Sequence, residues 1–167
     1  MKKIVVVLLL LALILPSITS CSSNNNETGA NKNNFGPGDK AIIKDDKGNE
    51  MYSFTVDGVK EADDFEYMED FSEHTNQVIE VDYTYENINK DDMDLYIHGA
   101  DLQVIDQEGK AAESSSMFPK QQPQEAGVGV AVRVQAYYGL ENESEEVQII
   151  LKSESYDTTI TIKVPVN

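Results

Sequence analysis

Few residues in this chain have side chains suited to chemistry. Its 167 residues hold one cysteine, Cys21, and two histidines, His74 and His98. The histidines are far apart in sequence and form no H-E-x-x-H pair. Imidazole ligation of a metal therefore lacks its spacing, and both read as surface or turn residues. No G-x-S-x-G sequence marks a serine nucleophile. Gly127-Val128-Gly129 has no third glycine in place and leads into a strand pattern instead of a helix, so phosphate cradling is unsupported. Carboxylates are abundant, but no pair stands out as the acid and base of glycoside hydrolysis. Asp91-Asp92-Met93-Asp94 and the acidic stretch 61–73 offer oxygen ligands of the kind calcium takes. Neither follows the D-x-D-x-D-G order. Asp91, Asp92 and Asp94 are weak metal candidates beside the simpler reading, a solvated loop. No cofactor is implied.

Cys21 has a more informative setting. Lys2 and Lys3 give a basic start, residues 4–16 are almost purely aliphatic, and small polar residues then lead to the thiol. This is the layout of an export signal. A membrane-spanning helix needs about 20 apolar residues, and the run stops at Pro16. An ordinary secretory signal would leave Cys21 as a bare thiol. Ile18-Thr19-Ser20-Cys21 resembles the lipobox of bacterial lipoproteins. That resemblance implies cleavage before Cys21 and its acylation, by palmitate or a similar chain, with membrane lipid as partner. One acyl chain binds a bilayer only marginally, so a stable anchor needs two or more. With no second cysteine, the mature chain has no internal disulfide and its fold rests on its core.

The expected organisation is a signal peptide over 1–20, the lipidated cysteine with a polar linker over 21–39, and one folded domain over 40–167. The linker is rich in asparagine, serine and glycine and too polar to bury surface. Its asparagine content hints at an AT-rich, Gram-positive source. Thirty acidic residues against 13 basic ones give a net charge of −17, which becomes −19 once Lys2 and Lys3 are removed. Such a surface repels nucleic acid, and that class of partner is excluded.

Period-two alternation dominates the domain. Ile79, Val81, Tyr83 and Tyr85 share one face of a strand over 78–86, with Glu80, Asp82, Thr84 and Glu86 on the other. Val128, Val130, Val132, Val134, Ala136 and Tyr138 share a face of a second strand, punctuated by Gly127 and Gly139. Tyr52, Phe54 and Val56 alternate before an Asp57-Gly58 turn. Leu95 and Ile97 form a short piece, and Leu102 and Val104 precede the turn Asp106-Gln107-Glu108-Gly109. Val147, Ile149 and Leu151 alternate, as do Ile160, Ile162, Val164 and Val166, with an edge strand at 41–43. Seven or eight short strands indicate an all-β, immunoglobulin-like antiparallel sandwich lacking the antibody-type disulfide and tryptophan. One or two turns of amphipathic helix over 62–74 would lay Phe65, Met68 and Phe71 over an open end of it. An irregular loop or a partner-docking surface are the other readings of that stretch.

Three stretches carry a further resemblance: Val78-Ile79-Glu80-Val81-Asp82-Tyr83-Thr84-Tyr85-Glu86-Asn87, then Leu102-Gln103-Val104-Ile105-Asp106-Gln107-Glu108-Gly109-Lys110, then 127–138 followed by 147–151. Together they resemble the telokin-like, immunoglobulin-fold domain of unknown function found in Gram-positive lipoproteins. The resemblance implies a sandwich and an extracytoplasmic, membrane-anchored location, and it brings no catalytic motif. The expected function is a non-enzymatic surface lipoprotein whose sandwich binds a protein or cell-envelope partner. The alternative is a lipoprotein binding divalent cations or a small ligand through its acidic loops.

Overall fold

A computed structural model describes residues 34–91, 94–115 and 119–167. Cys21, the signal peptide and Asp92 lie outside the described residues. The strands are β1 (Asn34–Phe35), β2 (Ala41–Lys44), β3 (Glu50–Glu61), β4 (Gln77–Asn87) and β5 (Leu102–Ile105), then β6 (Glu113–Ser114), β7 (Ala131–Leu140), β8 (Glu146–Ser153) and β9 (Thr158–Pro165). One sheet has the order β1-β9-β8-β5 and the other β2-β3-β4-β7-β6. Every strand pairing is antiparallel except β1 with β9. The all-β sandwich is thus as expected, with seven strands of four or more residues and two short edge pieces. Residues 34–39, expected in the linker, are part of it: Asn34 and Phe35 pair with Thr161 and Ile162, and Gly38 N–H donates to the Val56 carbonyl at 2.8 Å.

The core lies between the sheets. Ile79, Val81, Tyr83 and Tyr85 of β4 are all fully buried, as their alternation requires. They face Val104 of β5, Val147, Ile149 and Leu151 of β8, and Ile160, Ile162 and Val164 of β9 in a single apolar cluster. β2 lies at a sheet edge, where residues 41–43 were expected.

Three tyrosines do more than fill space. The Tyr83 hydroxyl donates to the Ile97 carbonyl at 3.0 Å and that of Tyr138 to the Gly99 carbonyl at 2.7 Å. Tyr85 bonds both backbone groups of Gln124. A buried phenol needs a partner for its hydroxyl, and here each partner is loop backbone: the β4–β5 crossover for Tyr83 and Tyr138, the β6–β7 connection for Tyr85. Tyr83 and Tyr138 therefore fix the crossover from β4 to β5, and Tyr85 the β6–β7 connection, as they build the core. Burial raises the pKa of Tyr83 and Tyr138 well above the ordinary tyrosine value. Gly99 sits so close to β7 that a Cβ there would stand 2.8 Å from that of Ala136.

Four local expectations are corrected. Asp57-Gly58 is not a turn: β3 runs through it as a bulge between Val56 and Gly58. The extra residue switches inward parity from Tyr52, Phe54 and Val56 to Val59, which is 3% exposed. The Asp57 carboxylate then turns outward, accepting from Thr84 Oγ1 at 2.7 Å. The strand expected from Val128 begins at Ala131, because Gly127 to Val130 form a turn with Gly129 at φ 81°. Val128 and Val130 are exposed. At its other end β7 continues past Gly139, which lies within the strand. Leu95 and Ile97 are buried outside any strand, with an isolated bridge from Leu95 to Ala126.

The fourth correction concerns 62–74, which holds only a single 3-10 turn, Met68–Asp70. A helix would set Glu66 beside Asp70 and Glu69 beside Glu73, like charges four residues apart with no lysine or arginine in the stretch. Phe65 and Phe71 still pack, but on the outer face of the second sheet and not over an open end. With Ala62, Val78 and Tyr137 they form a separate apolar cluster, the Phe65 and Tyr137 ring centroids 4.8 Å apart. Met68 is exposed. Gly139 makes this cover possible, since a Cβ there would come within 2.9 Å of the Phe71 ring and of Thr75 Oγ1.

Candidate functional site

Where the crossover and the β8–β9 connection approach each other, they leave a cleft of about 440 Å³ at one end of the sandwich. One lip is formed by Lys90, Leu95, Tyr96, Ile97 and Asp101 of the crossover. Asn87 anchors it: its side-chain amide donates to the carbonyls of Lys90 and Ala126 at 2.9 and 2.8 Å, and its oxygen accepts from Lys90 N–H at 2.8 Å. The other lip is the 3-10 turn Glu154–Tyr156, closed by Asp157 in the left-handed conformation at φ 45°. Both lips are loop residues held against strands, the arrangement that gives a pocket a stable shape.

The floor is apolar: Leu95 and Ile97 from the crossover, Leu151 from β8 and the ring of Tyr52 from β3. Tyr52 is buried, and its ring centroid lies 5.9 Å from that of Tyr156. Burial raises the Tyr52 pKa, a hydrogen bond with Ser153 opposes the shift, and Tyr156 adds to it. The rim is polar and aromatic. Tyr96 stands 47% exposed on the crossover lip. Asp101 lies on the same side, above the buried Lys90, and Lys152 and Glu154 on the other. Among the described residues, Lys152 and Glu154 make no ion pair.

A wider depression of about 690 Å³ lies at the opposite end, beside Glu108, Glu141 and Glu143. Its polar groups are largely committed to one another. Lys110 pairs with Glu141, Gln107 donates to the Glu143 carbonyl at 2.8 Å, and Asn142 donates to Asp106 at 2.7 Å. Asp106 also accepts from the N–H groups of Glu108 and Lys110 at 3.0 and 2.8 Å, closing the turn. Burial would raise its pKa, but these bonds from Asn142, Lys110 and Glu108 outweigh it and hold the carboxyl below its ordinary value. Asp106→Ala should therefore cost about 2 kcal/mol at pH 7. Because the folded pKa is depressed, the ionised group's contribution is complete above about pH 4 and is lost as pH falls through the folded value. Urea unfolding at pH 7 and pH 3 should show the difference from wild type narrowing at the lower pH. Equal stability at pH 7 would contradict the role.

A third polar group lies on the outer face of the second sheet. Glu80 receives Lys60 at 2.9 Å, Gln135 Nε2 at 2.8 Å and the Tyr137 hydroxyl at 3.0 Å. The hydrogen bond and charge of Glu80 raise the Lys60 pKa, while burial followed by Glu80 pushes Tyr137 up to about 12. Beside them, Asp82 Oδ1 and Gln135 Oε1 are buried without hydrogen-bond partners, Arg133 Nη2 standing 3.8 Å from Asp82. With three donors on it, Glu80 ties β3, β4 and β7 together under the Phe65 cluster.

The residues singled out from the sequence do not converge. Asp91 and Asp94 are exposed in the crossover. Among the described residues no group of three or more histidine, cysteine, aspartate or glutamate side chains is placed to hold a metal ion. His98 caps the 3-10 turn Gly99–Asp101, its Nδ1 accepting from Ala100 N–H at 3.5 Å. His74 is exposed, and its carbonyl accepts from Asn76 Nδ2 at 3.4 Å. The cleft itself was missed. Its one sequence signal was Tyr96, an aromatic on the outward side of the Leu95–Ile97 alternation; Tyr52, Lys152 and Tyr156 come from distant strands.

No family model matches the chain, and no curated protein matches it in sequence. Solved structures do resemble it. The candidate lipoprotein ycdA of Bacillus subtilis aligns with a TM-score of 0.57 and 14% identity over 75% of this chain. This chain spans only 38% of ycdA's length. The secreted protein MPT63 of Mycobacterium tuberculosis gives 0.56 and 12%, over 79% of this chain and 95% of its own. The yjhA protein of B. subtilis gives 0.54 and 13%, over 77% and 98%. At such identities the likeness is one of fold: the chain shares a β-sandwich with these proteins, and the telokin-like family itself is matched by no model.

Proposed function

We propose that this chain is an exported lipoprotein, anchored through acylated Cys21 on the extracytoplasmic face of the membrane. Its sandwich acts as a non-enzymatic module that binds an envelope component or a protein. The N-terminal pattern of Lys2, the aliphatic run and Ile18-Thr19-Ser20-Cys21 supports the location. Among the described residues no helix is long and apolar enough to cross a membrane. The observation that carries the binding role is the end cleft, an apolar floor under a rim of aromatic and charged side chains. That is the make-up of a recognition pocket.

The test places a photo-activatable residue at Tyr96 of the full chain in intact cells. Irradiation should yield a higher-mass adduct with an envelope component. The same group at Glu108, at the far end of the sandwich, should yield none. Equal adducts at both positions, or none at either, would contradict a binding role for the cleft.

A further inference from the structure

We infer that residues 62–74, on the outer face of the second sheet, dock a basic segment of another protein, rich in arginine and lysine. This surface is separate from the end cleft. Tyr67 and Met68, neighbours in sequence, stand 40% and 49% exposed on it. The Tyr67 ring meets that of Phe65 edge-on, centroids 6.0 Å apart, and Phe65 lies in turn on Tyr137. The exposed ring is thus backed by two more. The segment is also tied to the sheet along its length. Ala62 N–H donates to the Val78 carbonyl at 2.9 Å, Ser72 N–H to Glu113 Oε2 at 2.8 Å, and Asn76 N–H to the Leu140 carbonyl at 2.9 Å. A partner therefore meets a surface that is already ordered, which lowers the cost of association. Tyrosine offers a rigid face there and methionine an adaptable one.

Charge selects the partner. Residues 61–73 hold seven acidic side chains and no lysine or arginine. Asp63, Asp64, Glu66, Glu69 and Glu73 are exposed, and none of them forms an ion pair among the described residues. Lys60, just before the stretch, is taken by Glu80 at 2.9 Å. Like charges crowded around an apolar patch repel one another, and a cationic partner relieves that repulsion. Guanidinium and ammonium groups also pack on a tyrosine face, and guanidinium pairs with carboxylates through two parallel hydrogen bonds. Other occupants fit less well. A second copy docking by the same face would set acid against acid, as would an anionic membrane. A neutral apolar partner would strip water from carboxylates and supply no counter-charge. A calcium ion would find no group of three carboxylates placed to hold it among the described residues, and would leave Tyr67 and Met68 unused.

The purified full chain, in an uncharged detergent and low salt, is titrated into a fluorescent oligoarginine peptide and followed by anisotropy. The wild type should bind it. Tyr67→Ala should weaken binding roughly fivefold through loss of the ring face, and Tyr67→Phe, which keeps the ring, should bind as wild type. Asp64→Asn with Glu66→Gln and Glu69→Gln should weaken it roughly tenfold, the sum of three exposed charge pairs. Glu108→Gln with Glu143→Gln and Glu145→Gln removes the same charge elsewhere and should change binding less than about twofold. Every substituted side chain is exposed, so the variants should melt with the wild type. If Tyr67→Ala melts early, the two charge-removal sets decide between a local site and net charge. No binding by the wild type, equal weakening by the two sets, or full binding by a folded Tyr67→Ala would overturn the inference. So would displacement of the peptide by micromolar calcium at constant ionic strength, which would make the surface a cation site. Dimers in sedimentation that Tyr67→Ala dissolves would assign the face to a second copy and overturn it as well.

Discussion

Tyr83→Asp should unfold the sandwich. The Tyr83 ring is fully buried in β4, 5.6 Å from the Phe54 ring, and its hydroxyl holds the Ile97 carbonyl. Aspartate there removes the ring, leaves that carbonyl unpaired and puts a carboxylate between two apolar sheets. The combined cost is about 4 kcal/mol or more, a large share of the roughly 5–15 kcal/mol by which a domain is stable. Tyr83→Phe separates the causes. It keeps the ring and should cost only about 1–2 kcal/mol, the penalty for one orphaned buried carbonyl. Urea unfolding of both variants measures this. An aspartate variant as stable as wild type would mean that β4 faces the other way.

This residue also shows how far the sequence can be read. Ile79, Val81, Tyr83 and Tyr85 alternate without interruption, and a strand buried on one face leaves no other register for them. β8 and β9 were legible for the same reason. The reading failed where geometry, not periodicity, decides. Asp57-Gly58 has turn composition, yet a bulge satisfies it, because the strand continues to pair with β4 on both sides. Val128 and Val130 continue the alternation of β7 on paper, but Gly129 turns the chain before the ladder begins. Phe65, Met68 and Phe71 have helical spacing, and the density of like charge around them favours an irregular cover instead. The cleft was illegible for a different reason. Its lining comes from β3, the crossover and the β8–β9 connection, and only the pairing of the strands brings them together.

The second large effect concerns location. Cys21→Ala removes the one thiol that can carry lipid. Each buried methylene of an acyl chain contributes about 0.8 kcal/mol to membrane binding, so losing two chains abolishes retention rather than weakening it. The processed, membrane-bound form should disappear, and the chain should be found as a higher-mass precursor or free in the medium. The sandwich should fold as before, since its described core is built from residues at Phe35 and beyond. Cell fractionation with a detergent-free wash, followed by melting of the released protein, checks both halves. Variant protein that is processed yet stays on washed membranes would contradict the anchor.

An acidic sandwich on a short tether makes sense as a binding device only if the tether is real. Mass spectrometry of the protein purified from its native membrane addresses this directly. The mature chain should begin at Cys21 and carry the added mass of at least two acyl chains. A mature N-terminus at another residue, with Cys21 an unmodified thiol inside the chain, would contradict it.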